Sequence, residues 1–135
     1  MRILIVDDSP VMRKIVERAL VQAGMDIEEC LFAGNGMEAL TILREAHDRL
    51  DLLLCDISMP VMDGLQFLEQ RERENLGMHI PVVMITTEGG AAAVLRAVGA
   101  GAKGYICKPF TTDQVKTRIL PVLVAAEAAR LLSAT

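Results

Sequence analysis

Polar side chains stand where four apolar runs stop: Asp7 and Asp8 after ILIV, Asp56 after LLLC, Thr86 and Thr87 after VVMI, and Lys108 after GYIC. These residue types suit one kind of chemistry. Three carboxylates brought together repel one another, and one of them holds its proton unless a cation relieves it. Mg²⁺ prefers oxygen ligands and is commonly held by one or two carboxylates plus phosphate oxygens. Transfer of a phosphoryl group needs mainly positioning and neutralisation of its oxygens, which a metal, a lysine and a threonine hydroxyl supply. A carboxylate can itself be the nucleophile and form an aspartyl-phosphate. Asp56, single and central, is the candidate; Asp7 and Asp8 form a pair better suited to holding metal.

That chemistry requires the apolar runs to be parallel strands ending at one edge. Ile3 to Val6 is a short apolar strand; Ser9 then caps and Pro10 opens a helix with Met12, Ile15, Val16, Ala19, Leu20 and Ala23 at helical spacing, stopped by Gly24. The alternation repeats. Ile27 to Phe32 reads as a second strand, followed by a helix from Asn35-Gly36 carrying Ala39, Leu40, Leu43 and Ala46. Leu52 to Asp56 is an apolar strand buried on both faces, and its helix runs from near Leu65 into the charged stretch Arg71 to Glu74, read as a solvated face. Val82 to Ile85 forms a fourth strand and Ala91 to Ala102 a helix weakened by Gly89 and Gly90. Lys103 to Cys107 forms a fifth strand, and Thr111 or Thr112 caps a last helix with Val115, Ile119, Val122 and Leu123. Strands alternating with helices predict an α/β fold with a parallel sheet covered on both faces. In such sheets the carboxyl edge of the strands is where ligands bind. A lone strand-end acid is often only a turn former and Asp7-Asp8-Ser9 only a cap, but the joint occurrence on four strands favours a site.

Composition sets the outer limits. At 135 residues, 52% hydrophobic and 24% charged, the chain has the size and balance of one globular domain. A net charge of -4 speaks against nonspecific nucleic-acid binding, which needs a basic surface. The first residues, MRILIVDDSP, are too short an apolar run for a secretory signal or a membrane span, so a cytoplasmic location is expected. Cys30, Cys55 and Cys107 lack metal-ligand spacing and read as reduced thiols buried on strands.

The motifs ILIVDDS, D-x-x-MP-x-MDG from Asp56 to Gly64, ITTE from Ile85 and GYICKPF from Gly104 resemble the receiver domain of two-component response regulators, closest to its stand-alone chemotaxis type, CheY. The resemblance covers Arg2 to about Ile119. It implies a (βα)5 flavodoxin-like three-layer sandwich with a five-stranded parallel sheet of order 2-1-3-4-5. It also implies that Asp56 accepts phosphate from a sensor histidine kinase or phosphotransfer protein, with Mg²⁺ ligated by Asp8 and Asp56, by the Ser58 backbone carbonyl, and by Asp7 through a water. Thr86 would bond the phosphoryl group, Lys108 pair with it and the Thr87 amide assist, with a cis Lys108-Pro109 bond supporting the loop. Ser58 and Glu88 would tune the lifetime of the phosphorylated state. A shift of Thr86 and an inward turn of Tyr105 would form the switch, read by a downstream protein on the face of the fourth helix, fifth strand and fifth helix. The domain would be a phosphorylatable switch with at most slow autophosphorylation and autodephosphorylation.

Two departures stand out. Ala91 to Ala93 occupy positions where chemotaxis relatives often carry lysines, which weakens a flagellar-motor role and leaves chemotaxis and phosphorelay both open. Pro121 removes a backbone donor and is expected to kink or restart the last helix. Residues 1–135 therefore read as a single receiver domain with a helical extension from about 121, whose apolar VLVAAEAARLL suggests packing on the domain or weak self-association. The alternative from another class is a phosphatase of the haloacid dehalogenase type, which also uses an Asp nucleophile; its D-x-D motif after the first strand is here Asp7, Asp8 and Ser9.

Overall fold

The structure is a computed structural model and describes residues 1–87 and 91–133. Its strands are β1 (Arg2–Val6), β2 (Glu29–Ala33), β3 (Leu52–Asp56), β4 (Val82–Thr86) and β5 (Gly104–Cys107), all parallel in the order β2-β1-β3-β4-β5. The helices are α1 (Pro10–Gln22), α2 (Gly36–Ala46), α3 (Gly64–Arg73), α4 (Ala91–Gly99), α5 (Thr112–Gln114) and α6 (Leu120–Ser133), with a π-helical turn at Val115–Ile119 between the last two. This is the expected α/β sandwich in the expected strand order.

Alternation along each strand divides the core in two. Leu4, Val6, Leu53, Cys55, Val82 and Met84 face α2, α3 and α4. Ile3, Ile5, Leu52, Leu54, Val83 and Ile85 face α1 and the π-turn, which buries Val115 and Ile119 among them. Because both faces are covered, the central strands are apolar throughout, and a polar residue is tolerated only where a strand emerges. Cys55 is buried, Cys30 and Cys107 are half-buried, and all three are free thiols on strands. Burial and the acidic Glu17 push the Cys30 thiol up to about 12, which keeps it protonated and unreactive.

Local chemistry sets the element ends. Ser9 caps α1 by accepting from the Met12 N–H, Asn35 caps α2, and Asp63 forms a reciprocal capping box with Gln66 at α3. β2 begins at Glu29 and not at Ile27, because its ladder partner on β1 begins at Arg2. α4 stops at Gly99, short of Ala102. Gly101, at φ +108°, turns the chain there, with bonds from the Ala102 N–H to the Ala97 carbonyl and from the Gly101 N–H to Val98.

Two positions carry more of the fold than their sequence context suggests. Pro121 cannot donate a hydrogen bond, and the helix absorbs this by a π-turn in which the Leu120 N–H reaches the carbonyl five residues back, Val115. The helix restarts as α6. Arg71, expected on a solvated face, is instead buried, 2% exposed, while Glu72, Arg73 and Glu74 remain exposed. Its guanidinium donates to the carbonyls of Gly77 and Ile80, both at 2.9 Å, and so closes the connection between α3 and β4. Burial lowers its pKa from the ordinary value. Replacing Arg71 with Met strips the buried Ile80 carbonyl of its donor and leaves the Gly77 carbonyl with the Ile80 N–H alone, and urea unfolding should show a loss of about 2 kcal/mol. An unchanged midpoint would mean that water replaces the guanidinium without penalty.

Candidate functional site

The sheet register draws the polar strand ends into one line. Val6 is opposite Cys55, Asp56 opposite Ile85, and Thr86 opposite Cys107, so the next residues, Asp7 and Lys108, flank Asp56 from its two sides. Carboxylate oxygens of Asp7, Asp8 and Asp56 lie within 4.8 Å of one another. Asp7 and Asp56 are buried and Asp8 is exposed. Lys108 Nζ donates to Asp56 Oδ2 at 3.1 Å and stands 3.8 Å from Asp7 Oδ2. Thr86 is buried at the end of β4 and its carbonyl accepts from the Lys108 N–H at 2.7 Å. The Lys108-Pro109 bond is cis, as expected. Thr87 is exposed at the rim, and Glu88, Gly89 and Gly90 fall outside the described residues.

Charge at this edge is unbalanced. One ammonium faces two buried carboxylates, and desolvation, then the negative charges of Asp56 and Asp8, raise the Asp7 pKa against the Ser9 N–H and Lys108, which lower it. Asp7 Oδ1 accepts from the Ser9 N–H at 2.9 Å, whereas Asp7 Oδ2 is buried with no hydrogen bond. A buried carboxylate oxygen left unbonded is costly. Asp56 Oδ1 takes a long bond, 3.3 Å, from the Ser58 N–H. An all-oxygen donor set with an orphaned buried oxygen fits a hard divalent cation.

The loop after Asp56 has little freedom. The Gly64 N–H bonds the Ile57 carbonyl at 2.8 Å, and a Cβ on Gly64 would overlap the Asp56 carbonyl oxygen and approach Ile57 Cα to 2.9 Å. Glycine is required there by close backbone approach. Within the loop, Val61 is held at φ +69° by a bond from the Met62 N–H to the Pro60 carbonyl at 2.8 Å, a strained γ-turn for a β-branched residue. The Met62 carbonyl in turn accepts from the Gly36 N–H at 2.9 Å, tying the loop to the start of α2.

Two supporting residues carry no motif. The Gln114 amide brackets the Lys108 loop: its Oε1 accepts from the Cys107 N–H at 3.1 Å and its Nε2 donates to the Cys107 and Pro109 carbonyls, both at 2.7 Å. Thr111 and Gln114 have the spacing of a capping box, which could have signalled the pair but not that the amide turns back to the strand end. Arg13 lies over the Phe32 ring at 5.8 Å and donates to the Asp7 carbonyl at 3.0 Å, fixing the backbone of the acidic turn. Tyr105 sits apart from the carboxylates, half-buried against the α4 side of the core with the Arg118 guanidinium 4.9 Å from its ring.

Residues 3–120 match the response regulator receiver domain family. The chain belongs to that family. The receiver is 39% identical to the chemotaxis protein CheY homolog of Campylobacter jejuni over 91% of this chain and 92% of that one. It is 41% identical to chemotaxis protein CheY1 of Helicobacter pylori over 91% and 97%. Among solved structures it is similar to the CheX-CheY-BeF3-Mg²⁺ complex from Borrelia burgdorferi, with a TM-score of 0.78 and 30% identity over 90% of this chain and 88% of that one. It is thus a CheY-like receiver of two-component systems, a signalling domain and not a turnover enzyme of the usual kind. Among the described residues no helix is long and apolar enough to cross a membrane.

Two outcomes test this geometry. Asp7→Asn should raise stability at neutral pH by about 1 kcal/mol, the scale of relieving an unsatisfied buried charge, while weakening Mg²⁺ binding measured by calorimetry. The sign follows from linkage: a carboxyl whose folded pKa is raised costs stability once ionised, so the gain should vanish below the ordinary value of 3.8 and grow as pH rises above it. Stability curves that stay parallel across the acid range would exclude this origin. Gly64→Ala should lose about 2 kcal/mol in urea unfolding through overpacking against backbone that cannot yield; a neutral result would mean that the Asp56 carbonyl moves freely.

Proposed function

We propose that Asp56 is the phosphoacceptor of this receiver and takes its phosphoryl group from a phosphohistidine of a sensor histidine kinase or phosphotransfer protein. The observation that carries this is the single ammonium of Lys108 held 3.1 Å from Asp56 Oδ2 beside the unbonded Oδ2 of Asp7. The Asp56 oxygen attacks phosphorus and forms a new P–O bond. The P–N bond breaks, its electron pair stays on the imidazole, and the imidazole takes a proton from solvent. Lys108 exchanges its ion pair with the carboxylate for one with the phosphoryl oxygens, the Thr86 hydroxyl donates to the same group, and the Thr87 amide assists at the rim. Asp8 and Asp56, with the Ser58 carbonyl and with Asp7 through a water, would hold Mg²⁺, which would neutralise the phosphoryl oxygens. The orphaned Asp7 oxygen and the BeF3 and Mg²⁺ named for the Borrelia CheY support this assignment.

The output is a population shift in which the phosphoryl group draws Thr86 towards it and Tyr105 turns inward. A downstream protein then reads α4, β5 and the helix that begins at α5. Relatives named as chemotaxis proteins support a place in a chemotaxis or phosphorelay chain in the cytoplasm. Residues 1–135 act as one receiver domain, with α6 as its helical extension.

Incubation with Mg²⁺ and acetyl phosphate should add a single phosphoryl group to the wild type by intact mass. Asp56→Asn should add none. The same adduct on the variant would sink the assignment, and an adduct that forms equally in EDTA would remove Mg²⁺ from it.

A further inference from the structure

β5 stands at the end of the strand order, so one of its sides pairs with β4 and the other is the edge of the sheet. The Lys108 N–H donates to the Thr86 carbonyl on β4 at 2.7 Å, and the main-chain groups of the residue before it, Cys107, therefore turn to the edge. Edge N–H and C=O groups need partners of their own. The Gln114 carboxamide meets both on Cys107, accepting from its N–H at 3.1 Å and donating to its carbonyl at 2.7 Å. A carboxamide has the donor and the acceptor of a peptide group, so this side chain does for Cys107 what a residue of a neighbouring strand would do. Its second amide hydrogen reaches past Lys108 to the Pro109 carbonyl, again at 2.7 Å. Turned over, the amide would set its oxygen against two carbonyl oxygens, which fixes its orientation.

Gln114 is held in turn. Its own N–H donates to Thr111 Oγ1 at 3.2 Å, and the next residue, Val115, is buried in the core. We infer that Gln114 is a positioning residue for Lys108, pinning the main chain on both sides of the lysine so that its ammonium stands 3.1 Å from Asp56 and 3.8 Å from Asp7. The inference rests on the reading of Asp56 as the phosphoacceptor. The lysine stem is long and flexible, and a charge carried on it is placed no better than the main chain from which it leaves. Phosphoryl transfer is catalysed mainly by positioning and charge, and a misplacement of about 1 Å can cost on the order of a hundredfold in rate. Gln114 thus acts on the transfer through the main chain around Lys108 and not by contact with the reacting atoms.

Gln114→Met keeps the length of the side chain and removes its donors and its acceptor. Phosphorylation by acetyl phosphate with Mg²⁺, followed by intact mass, should slow at least about tenfold in this variant. In a Lys108→Ala background the same replacement should make no further difference, the mark of a residue that acts through the lysine. Trace labelling with acetic anhydride, read lysine by lysine from peptide masses, should rise several-fold at the half-buried Lys108 and stay constant at the exposed Lys14, Lys103 and Lys116. Gln114→Glu, which keeps the acceptor but loses both donors, should move both readouts the same way and serves where Gln114→Met does not fold. A wild-type chain that takes no phosphoryl group on Asp56 would fail the phosphoacceptor reading, while the labelling, which needs no phosphorylation, still decides on Gln114. Unchanged Lys108 labelling in both variants, or a slowing that is equal with and without Lys108, would overturn the positioning role.

Discussion

One ammonium between two buried carboxylates is the constraint on which the rest of this structure depends. Asp7 and Asp56 are nearly inaccessible, and Lys108 can satisfy only one of them closely, at 3.1 Å against 3.8 Å. An ion pair in an apolar surrounding repays its desolvation only when geometry and further hydrogen bonds are good. Here they are left short, since Asp7 Oδ2 has no hydrogen bond. The deficit has a direction: a cation, or an oxyanion that engages Lys108 while a cation engages the acids, relieves it. The acidic pair therefore carries an electrostatic cost that a cation would relieve.

Such a deficit survives only if the surroundings cannot relax, and the backbone supplies that rigidity. Parallel pairing fixes Asp7 beside Asp56 through the Val6 and Cys55 register. Gly64 packs so closely under the Asp56 carbonyl that the following loop has one path, and that path forces Val61 to positive φ. On the far side, Gln114 binds the main chain before and after Lys108, so the lysine leaves from a fixed point. Strain at Val61 and the unbonded Asp7 oxygen belong to one trade, in which stability is given up locally for a preorganised site.

What could be read from the sequence was whatever depends on period and punctuation. Apolar runs of four or five residues, each ended by an acid, threonine or lysine, sufficed to place β1, β3, β4 and β5 and the four groups at their ends, because a strand buried on both faces permits no polar residue earlier. Boundaries set by a neighbour escaped: β2 starts at Glu29 because β1 starts at Arg2, a fact of pairing that composition does not carry. Arg71 escaped for a related reason. Its run of charges has the pattern of a solvated face, and only the fold reveals that two loop carbonyls converge on that one guanidinium. Gln114 and Arg13 act on backbone atoms, and side-chain to main-chain contacts across a turn leave no residue pattern behind. Pro121 was the converse, a single residue whose missing N–H announced a disruption, although not that a π-turn would absorb it.

That π-turn joins parts of the molecule that are otherwise separate. Its buried residues, Val115 and Ile119, anchor it in the core shared with α1, while Arg118, on its exposed side, lies over Tyr105. α6 departs from its end. The contact between Tyr105 and Arg118 couples β5 to this turn, and π-turns recur at functional positions. Pro121, whose missing N–H this turn accommodates, thus bears on where the helix beyond it begins.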